Sequence, residues 1–262
     1  MAMRLVDVAA PKLRRAGRAN LEMAMPELDR QGRERLLDGV FVSLARALVV
    51  VSRFPSLTPS NAGQWIRYEG REHFERARER GQGVLFFTAH LGNWELSAYA
   101  HALLAAPMNV VVRPLDNPLL ERFAACYRSG SGNRLIGKKD FARGILAALS
   151  ANEAVGILAD QNASIADGVF VDFFGSKACA HAGFARLAAH TGAAVIPGFA
   201  IWSEPERRYV LRFDPPVEMS GDVEADTQRL HTHLEQVIRQ YPDQWLWIHR
   251  RWKTRPSGEA PR

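Results

Sequence analysis

The chain has 262 residues, 47% of them hydrophobic, and a formal net charge of +6. That length and apolar content suffice for a sizeable core and one main domain, with room for a helical appendage. No run of about 18 uninterrupted apolar residues occurs, so no segment reads as a membrane-spanning helix. Residues 40–51 come closest, but Ser43 and Arg46 interrupt them. The amino terminus has a basic residue without the apolar stretch of a signal peptide, so export is not expected. Cys126 and Cys179 stand far apart in no metal-ligand or C-x-x-C pattern, and read as core thiols of a reducing compartment. The positive balance suits an anionic membrane surface, an acidic carrier protein or nucleic acid, without choosing among them.

Residues 1–25 set Arg4, Lys12, Arg14, Arg15 and Arg18 among Leu5, Val6, Val8 and Leu13, a basic amphipathic helix ended near Pro26. Such a helix either lies on a membrane or packs on the domain with one solvated face. A second helix over 31–53, stopped by Pro55, carries Leu36, Leu37, Val40, Phe41, Leu44 and Leu48 on one side. Packing is its expected role, although Val40, Phe41, Leu48 and Val49 also suit lipid or an acyl chain. Thr58-Pro59 reads as an N-cap with proline at N1, opening a short helix to about Trp65. A first strand at 66–69, a charged helix at 71–80 and an apolar strand at 84–89 follow.

From there strand and helix signals alternate. Strands are expected at 108–112, 134–136, 154–159, 194–202 and 208–213, with helices near 93–105, 117–129, 139–150, 181–191 and 223–239. The alternation predicts an α/β fold, a mainly parallel central sheet flanked by helices, with an N-terminal helical segment. The expected organisation is helices over 1–57, an α/β domain over 58–256 and a disordered tail over 257–262.

The stretch around which this is organised is Val84-Leu85-Phe86-Phe87-Thr88-Ala89-His90-Leu91-Gly92-Asn93-Trp94-Glu95-Leu96. It begins as a buried parallel strand, breaks at His90, Gly92 and Asn93, and continues at helical spacing. Ligands of open α/β sheets bind at the carboxyl edge of the strands, where His90 falls. Asn93 suits the N-cap, which puts Glu95 in the first helical turn. A first-turn acid is often only a partner for the helix dipole, and a strand-end histidine only a satisfied polar residue. The alternative is general-base chemistry: a neutral imidazole takes a proton from a hydroxyl while a carboxylate fixes its tautomer.

The string His90-x-x-x-x-Glu95, with Gly92-Asn93-Trp94 inside it and an apolar strand before it, resembles the motif of the glycerolipid acyltransferase superfamily. It is most similar to the lipid A late acyltransferases, the lauroyl and myristoyl transferases. Further stretches resemble that family in the expected order, from about Leu13 to Lys253. They are Arg113 with Asn117-Pro118, Asp160-Gln161, Phe174-Gly175 with Ala178, Leu187-Ala188, Ile196-Pro197, and a closing segment from Gln244 to Lys253. The chain departs from the family at Cys179-Ala180-His181, where a threonine-proline pair is commoner.

The resemblance implies transfer of a fatty acyl group from an acyl carrier protein or coenzyme A thioester to a hydroxyl of a lipid A precursor or similar lipid. His90 would be the base and Glu95 its partner, without a covalent intermediate, since no G-x-S-x-G elbow is present. Asn93, Trp94, Arg113, Lys138, Asp160 and Gln161 would contact substrate. No metal or other cofactor is expected. The expected partners are acyl carrier protein, an anionic lipid acceptor and a membrane surface, with no nucleic acid. The family usually has an N-terminal membrane helix, which this sequence lacks, so peripheral attachment to the cytoplasmic face of the bacterial inner membrane is expected.

Arg250, Arg251 and Lys253 would dock the carrier. The tryptophans among them suit either a headgroup region or packing at a strand edge. Two further signals are rejected. Gly132 to Lys139 nearly spells a Walker A loop, but Lys139 replaces the magnesium-binding hydroxyl. His231-x-His233 has no convincing third metal ligand. The competing functions are a non-catalytic basic module for membranes or nucleic acid, and an acyl hydrolase.

Overall fold

The computed structural model describes residues 11–114, 116–137 and 141–258. Within them the chain divides into two compact units. One consists of Arg46–Leu158 and Leu187–Met219, the other of the residues up to Ala45, Ala159–Arg186 and those from Ser220 on.

The first unit holds a seven-stranded sheet. Its strands are β1 (Ile66–Glu69), β2 (Val84–Thr88), β3 (Asn109–Val111), β4 (Arg134–Ile136), β5 (Ala154–Leu158), β8 (Ala194–Ser203) and β9 (Arg208–Phe213). The order is β1-β9-β8-β2-β5-β3-β4, with every neighbouring pair parallel except β8 and β9. The mainly parallel α/β fold is therefore as expected. Strand β2 lies at the middle, between β8 and β5, and Val84, Leu85, Phe86 and Phe87 are all buried. A strand covered on both faces has no solvated side, which is why its sequence is an unbroken apolar run.

Helices α3 (Arg71–Glu79), α4 (Trp94–Leu104), α5 (Pro118–Ser129) and α6 (Phe141–Ser150) connect the strands. Phe74, Phe86 and Phe213 form an aromatic core with rings 4.8–6.4 Å apart. His101 of α4 sits inside it, 1% exposed, with Nδ1 2.8 Å from the Tyr68 hydroxyl. Burial, reinforced by Arg71 and Arg78, lowers its pKa to about 3, so the ring is neutral.

The second unit contains α1 (Pro11–Ala24), most of α2 (Arg30–Val51), the hairpin β6 (Gly168–Phe173) and β7 (Ser176–His181), and α8 (Val223–Gln240). Helix α7 (Gly183–Thr191) runs from this unit into the first. Arg14 of α1 pairs with Glu34 and Asp38 of α2, and Arg18 pairs with Glu34. Asn20 donates to the carbonyls of Trp247 and His249, both at 2.6 Å, which fixes α1 to the closing segment. The described part of the basic helix therefore packs on its own unit.

Three expectations are corrected. Thr58-Pro59 opens a turn and a 3-10 segment, Ala62–Gln64, rather than a continuous helix. His181 belongs to strand β7, and the helix begins only at Gly183. The hairpin itself was not expected, because its two-residue turn is Phe174-Gly175. Both residues have positive φ, +53° and +69°, as the tight turn of a twisted hairpin requires, and phenylalanine is an unusual residue there. Tertiary contacts hold it: the Phe174 N–H donates to Glu235 at 2.6 Å, and its ring packs against Trp247.

The closing tryptophans are also settled. Trp245, Trp247 and Trp252 are 2%, 0% and 4% exposed and pack with Phe173 and Phe174. They are core side chains, not headgroup anchors. Among the described residues no helix is long and apolar enough to cross a membrane.

Candidate active site

Strand β2 delivers the chain to the carboxyl edge of the sheet and α4 carries it away. The turn between them is fixed by Gly92, whose φ is +64° and which forms a bridge to Ala200 of β8. A Cβ on Gly92 would lie 1.9 Å from the Ala200 carbonyl oxygen, so only glycine allows this approach. That same carbonyl accepts the Asn93 N–H at 2.9 Å. Asn93, 1% exposed, then caps α4, with Oδ1 accepting from the Leu96 N–H at 3.0 Å. The Trp94 and Glu95 N–H groups thus begin the helix at the site, and no carbonyl accepts from either among the described residues.

His90 is half-buried just past β2, and its ring meets Trp94 edge-on with centroids 5.0 Å apart. Glu95 stands in the first turn of α4 with its side chain about one quarter exposed. Its carboxylate accepts a two-pronged grip from Arg128 in the last turn of α5, Nε to Oε2 at 2.9 Å and Nη2 to Oε1 at 2.6 Å. The bonded carboxylate raises the Arg128 pKa from its already high ordinary value. An imidazole, a fixed carboxylate and helix N–H donors are the parts from which acyl transfer to a hydroxyl is built.

This arrangement has relatives. Residues 4–254 match the family described as bacterial lipid A biosynthesis acyltransferase. The lipid A biosynthesis palmitoleoyltransferase of Escherichia coli K12 is 31% identical over 98% of this chain and 85% of its own length. The lauroyltransferase of the same organism is 29% identical over 93% and 80%, and an acyltransferase of Haemophilus influenzae is 25% identical over 95% and 79%. The chain belongs to the bacterial lipid A biosynthesis acyltransferase family. It is an acyltransferase, and the family expected from its motifs is the one found.

In this acyltransferase His90, Asn93, Trp94 and Glu95 come together at one joint. Arg113 is exposed on the loop after β3, beyond the carboxyl edge of the same sheet. Asp160 and Gln161 follow β5 and belong to the other compact unit. Asp160 is 2% exposed, and Oδ2 accepts the Trp245 indole N–H at 2.9 Å. Gln161 is half-buried. Lys138 lies outside the described residues.

Arg251 is fully buried and donates to the Cys179 carbonyl at 2.6 Å, so it cannot dock a carrier as expected from sequence. Burial pushes its pKa down to about 10, with Asp160 opposing the shift. Arg128 escaped the sequence reading altogether. It is one of two arginines in an amphipathic helix, 33 positions from Glu95, and no local spacing marks it as that residue's partner.

Proposed function

We propose that this acyltransferase moves a fatty acyl group from a thioester donor to a hydroxyl of a lipid A precursor or a similar glycolipid. The observation that carries the reading is His90 at the carboxyl end of the central strand, one tight turn before a helix whose first turn holds Glu95. Family membership and the relatives' printed activities supply the substrate class.

His90 takes the proton of the acceptor hydroxyl as its oxygen attacks the thioester carbonyl. The N–H groups of Trp94 and Glu95 stabilise the oxyanion that forms. Collapse breaks the C–S bond, and the thiolate leaves with the proton from the imidazolium. Glu95 favours the imidazolium form. An ionised carboxylate has about four acceptor sites, so Arg128 can hold it and still leave capacity for a ring N–H. The scheme needs no cofactor beyond the donor, which is an acyl carrier protein or coenzyme A thioester.

The acceptor is a lipid, so the reading places the enzyme peripherally on the cytoplasmic face of a bacterial inner membrane. Leu119, Leu120 and Phe123 support this, being 79%, 58% and 56% exposed along α5.

The test is His90→Ala, assayed with acyl carrier protein and coenzyme A donors and with the products analysed by mass spectrometry. Transfer should fall by at least about 100-fold with an unchanged melting curve. Near-normal transfer by the folded variant would overturn the mechanism. Free fatty acid as the wild-type product, with no acylated lipid, would make the protein a hydrolase instead.

A further inference from the structure

The cations of α1 fall into two groups. Arg14 and Arg18 face α2 and are neutralised by Glu34 and Asp38. Lys12 and Arg15 instead line a groove of about 640 Å³ between α1 and the closing segment, together with Arg250, Lys253 and Arg255. Lys12, Arg15, Arg250 and Lys253 form no ion pair among the described residues, and Glu22 is the one acid in the lining. Asn20, also in the lining, fixes the two walls to each other through Trp247 and His249. Trp252 lines the groove as well. It is 4% exposed, and its indole N–H has no acceptor among the described residues.

Like charges gathered around one concavity repel each other, and a buried N–H without an acceptor is left with its desolvation penalty uncompensated. One kind of ligand offsets both. A phosphate monoester carries nearly two negative charges and several acceptor oxygens, which suit the forks of Arg15 and Arg250, the two ammonium groups and an indole N–H. The volume lies within the range of about 300–1,000 Å³ typical of small-molecule sites. An acidic protein helix, about 10–12 Å across with its side chains, would lie over such a groove rather than fill it.

We propose that this groove binds the phosphate monoester of a lipid headgroup. The inference deepens the function proposed above, and it rests on that reading only in taking the phosphate to be lipid-borne.

The test uses the full chain without turnover. Sedimentation with phosphatidylcholine vesicles containing phosphatidic acid, a monoester, is compared with vesicles containing phosphatidylglycerol at matched surface charge. The wild type should bind the phosphatidic acid vesicles at least about tenfold more tightly, since the monoester brings a second charge and a third non-bridging oxygen. Replacing Lys12, Arg15, Arg250 and Lys253 together by glutamine should abolish that preference without moving the melting curve, because all four are exposed. Trp252→Phe should reduce it.

Equal binding to both vesicle types, or an unchanged preference in the fourfold variant, would overturn the proposal. So would a fourfold variant that keeps vesicle binding but loses binding to acyl carrier protein, which would make the groove a carrier surface. Binding of inorganic phosphate through the same four residues, with no vesicle preference, would assign the groove to free phosphate. His90→Ala should bind vesicles normally, so failure of the catalytic reading and failure of this one are told apart.

Discussion

Arg128 grips both carboxylate oxygens of Glu95, joining the last turn of α5 to the first turn of α4. Each side chain is about one quarter exposed, so the pair is neither a free surface contact nor a sealed one. It fixes the direction of the carboxylate in the first turn of α4, and under the proposed mechanism Arg128 acts as a positioning residue.

Arg128→Gln should lower kcat about tenfold while changing KM less, because it loosens the carboxylate without removing a substrate contact. Stability should fall by about 1–2 kcal/mol, the order expected for a charge-assisted hydrogen bond. Arg128→Lys should restore part of the stability but less of kcat, since lysine keeps the charge and loses the fork. Steady-state kinetics beside thermal melts would check this, and an unaltered kcat would rule out the positioning role.

The exposed face of α5 gives the second prediction. Phe123 is linked through Tyr127, with ring centroids 4.3 Å apart, to Phe54 in the core, while Leu119 and Leu120 project freely. Full burial of a large apolar side chain is worth about 1.5–3 kcal/mol. Changing Leu119, Leu120 and Phe123 to serine should therefore weaken partitioning into bilayers at least about tenfold. The melting temperature should barely change. Vesicle flotation would measure the loss, and wild-type partitioning by the triple variant would exclude this face from the membrane contact.

Arg251 should behave unlike its neighbours. Arg251→Met removes a fully buried cation and deprives the buried Asp160 of its favourable charge. Leaving the buried Cys179 carbonyl without its donor costs about 1–3 kcal/mol, so the variant should melt lower than the wild type. Arg250→Gln and Lys253→Gln should melt like the wild type. Differential scanning calorimetry of the three would decide, and a stable Arg251→Met protein would contradict the assignment of Arg251 to the core.

The buried His101 sets a pH dependence of stability. Its pKa is lowered from 6.5 in the ordinary state to about 3 in the fold. Between those values the unfolded chain binds a proton on this ring and the folded chain does not. Stability therefore falls as pH drops through that window, by up to about 1.4 kcal/mol per pH unit from this group. His231, lowered to about 3 by burial, adds a second contribution of the same sign. His101→Gln should flatten the slope between pH 4 and 6 by about 1.4 kcal/mol per unit, whatever it does to absolute stability. Urea unfolding at several pH values would show it, and an unchanged slope would mean that His101 is protonated in the fold.

Sequence alone was enough for the alternation of strands and helices outside the β6–β7 hairpin, for the mainly parallel sheet and for the joint at which His90 stands. Those features rest on local signals: an apolar run buried on both faces, a glycine at a turn, an asparagine cap. The tertiary structure alone decided which charged side chains face one another. Nothing near Glu95 names Arg128, and nothing in Arg250-Arg251-Trp252-Lys253 tells the buried arginine from its exposed neighbours. The Phe174-Gly175 turn was hidden for the same reason, since its strained phenylalanine is held by Glu235 and Trp247 from distant parts of the chain. Periodicity records which face of an element is buried, whereas the pairing of charges depends on elements that meet only after folding.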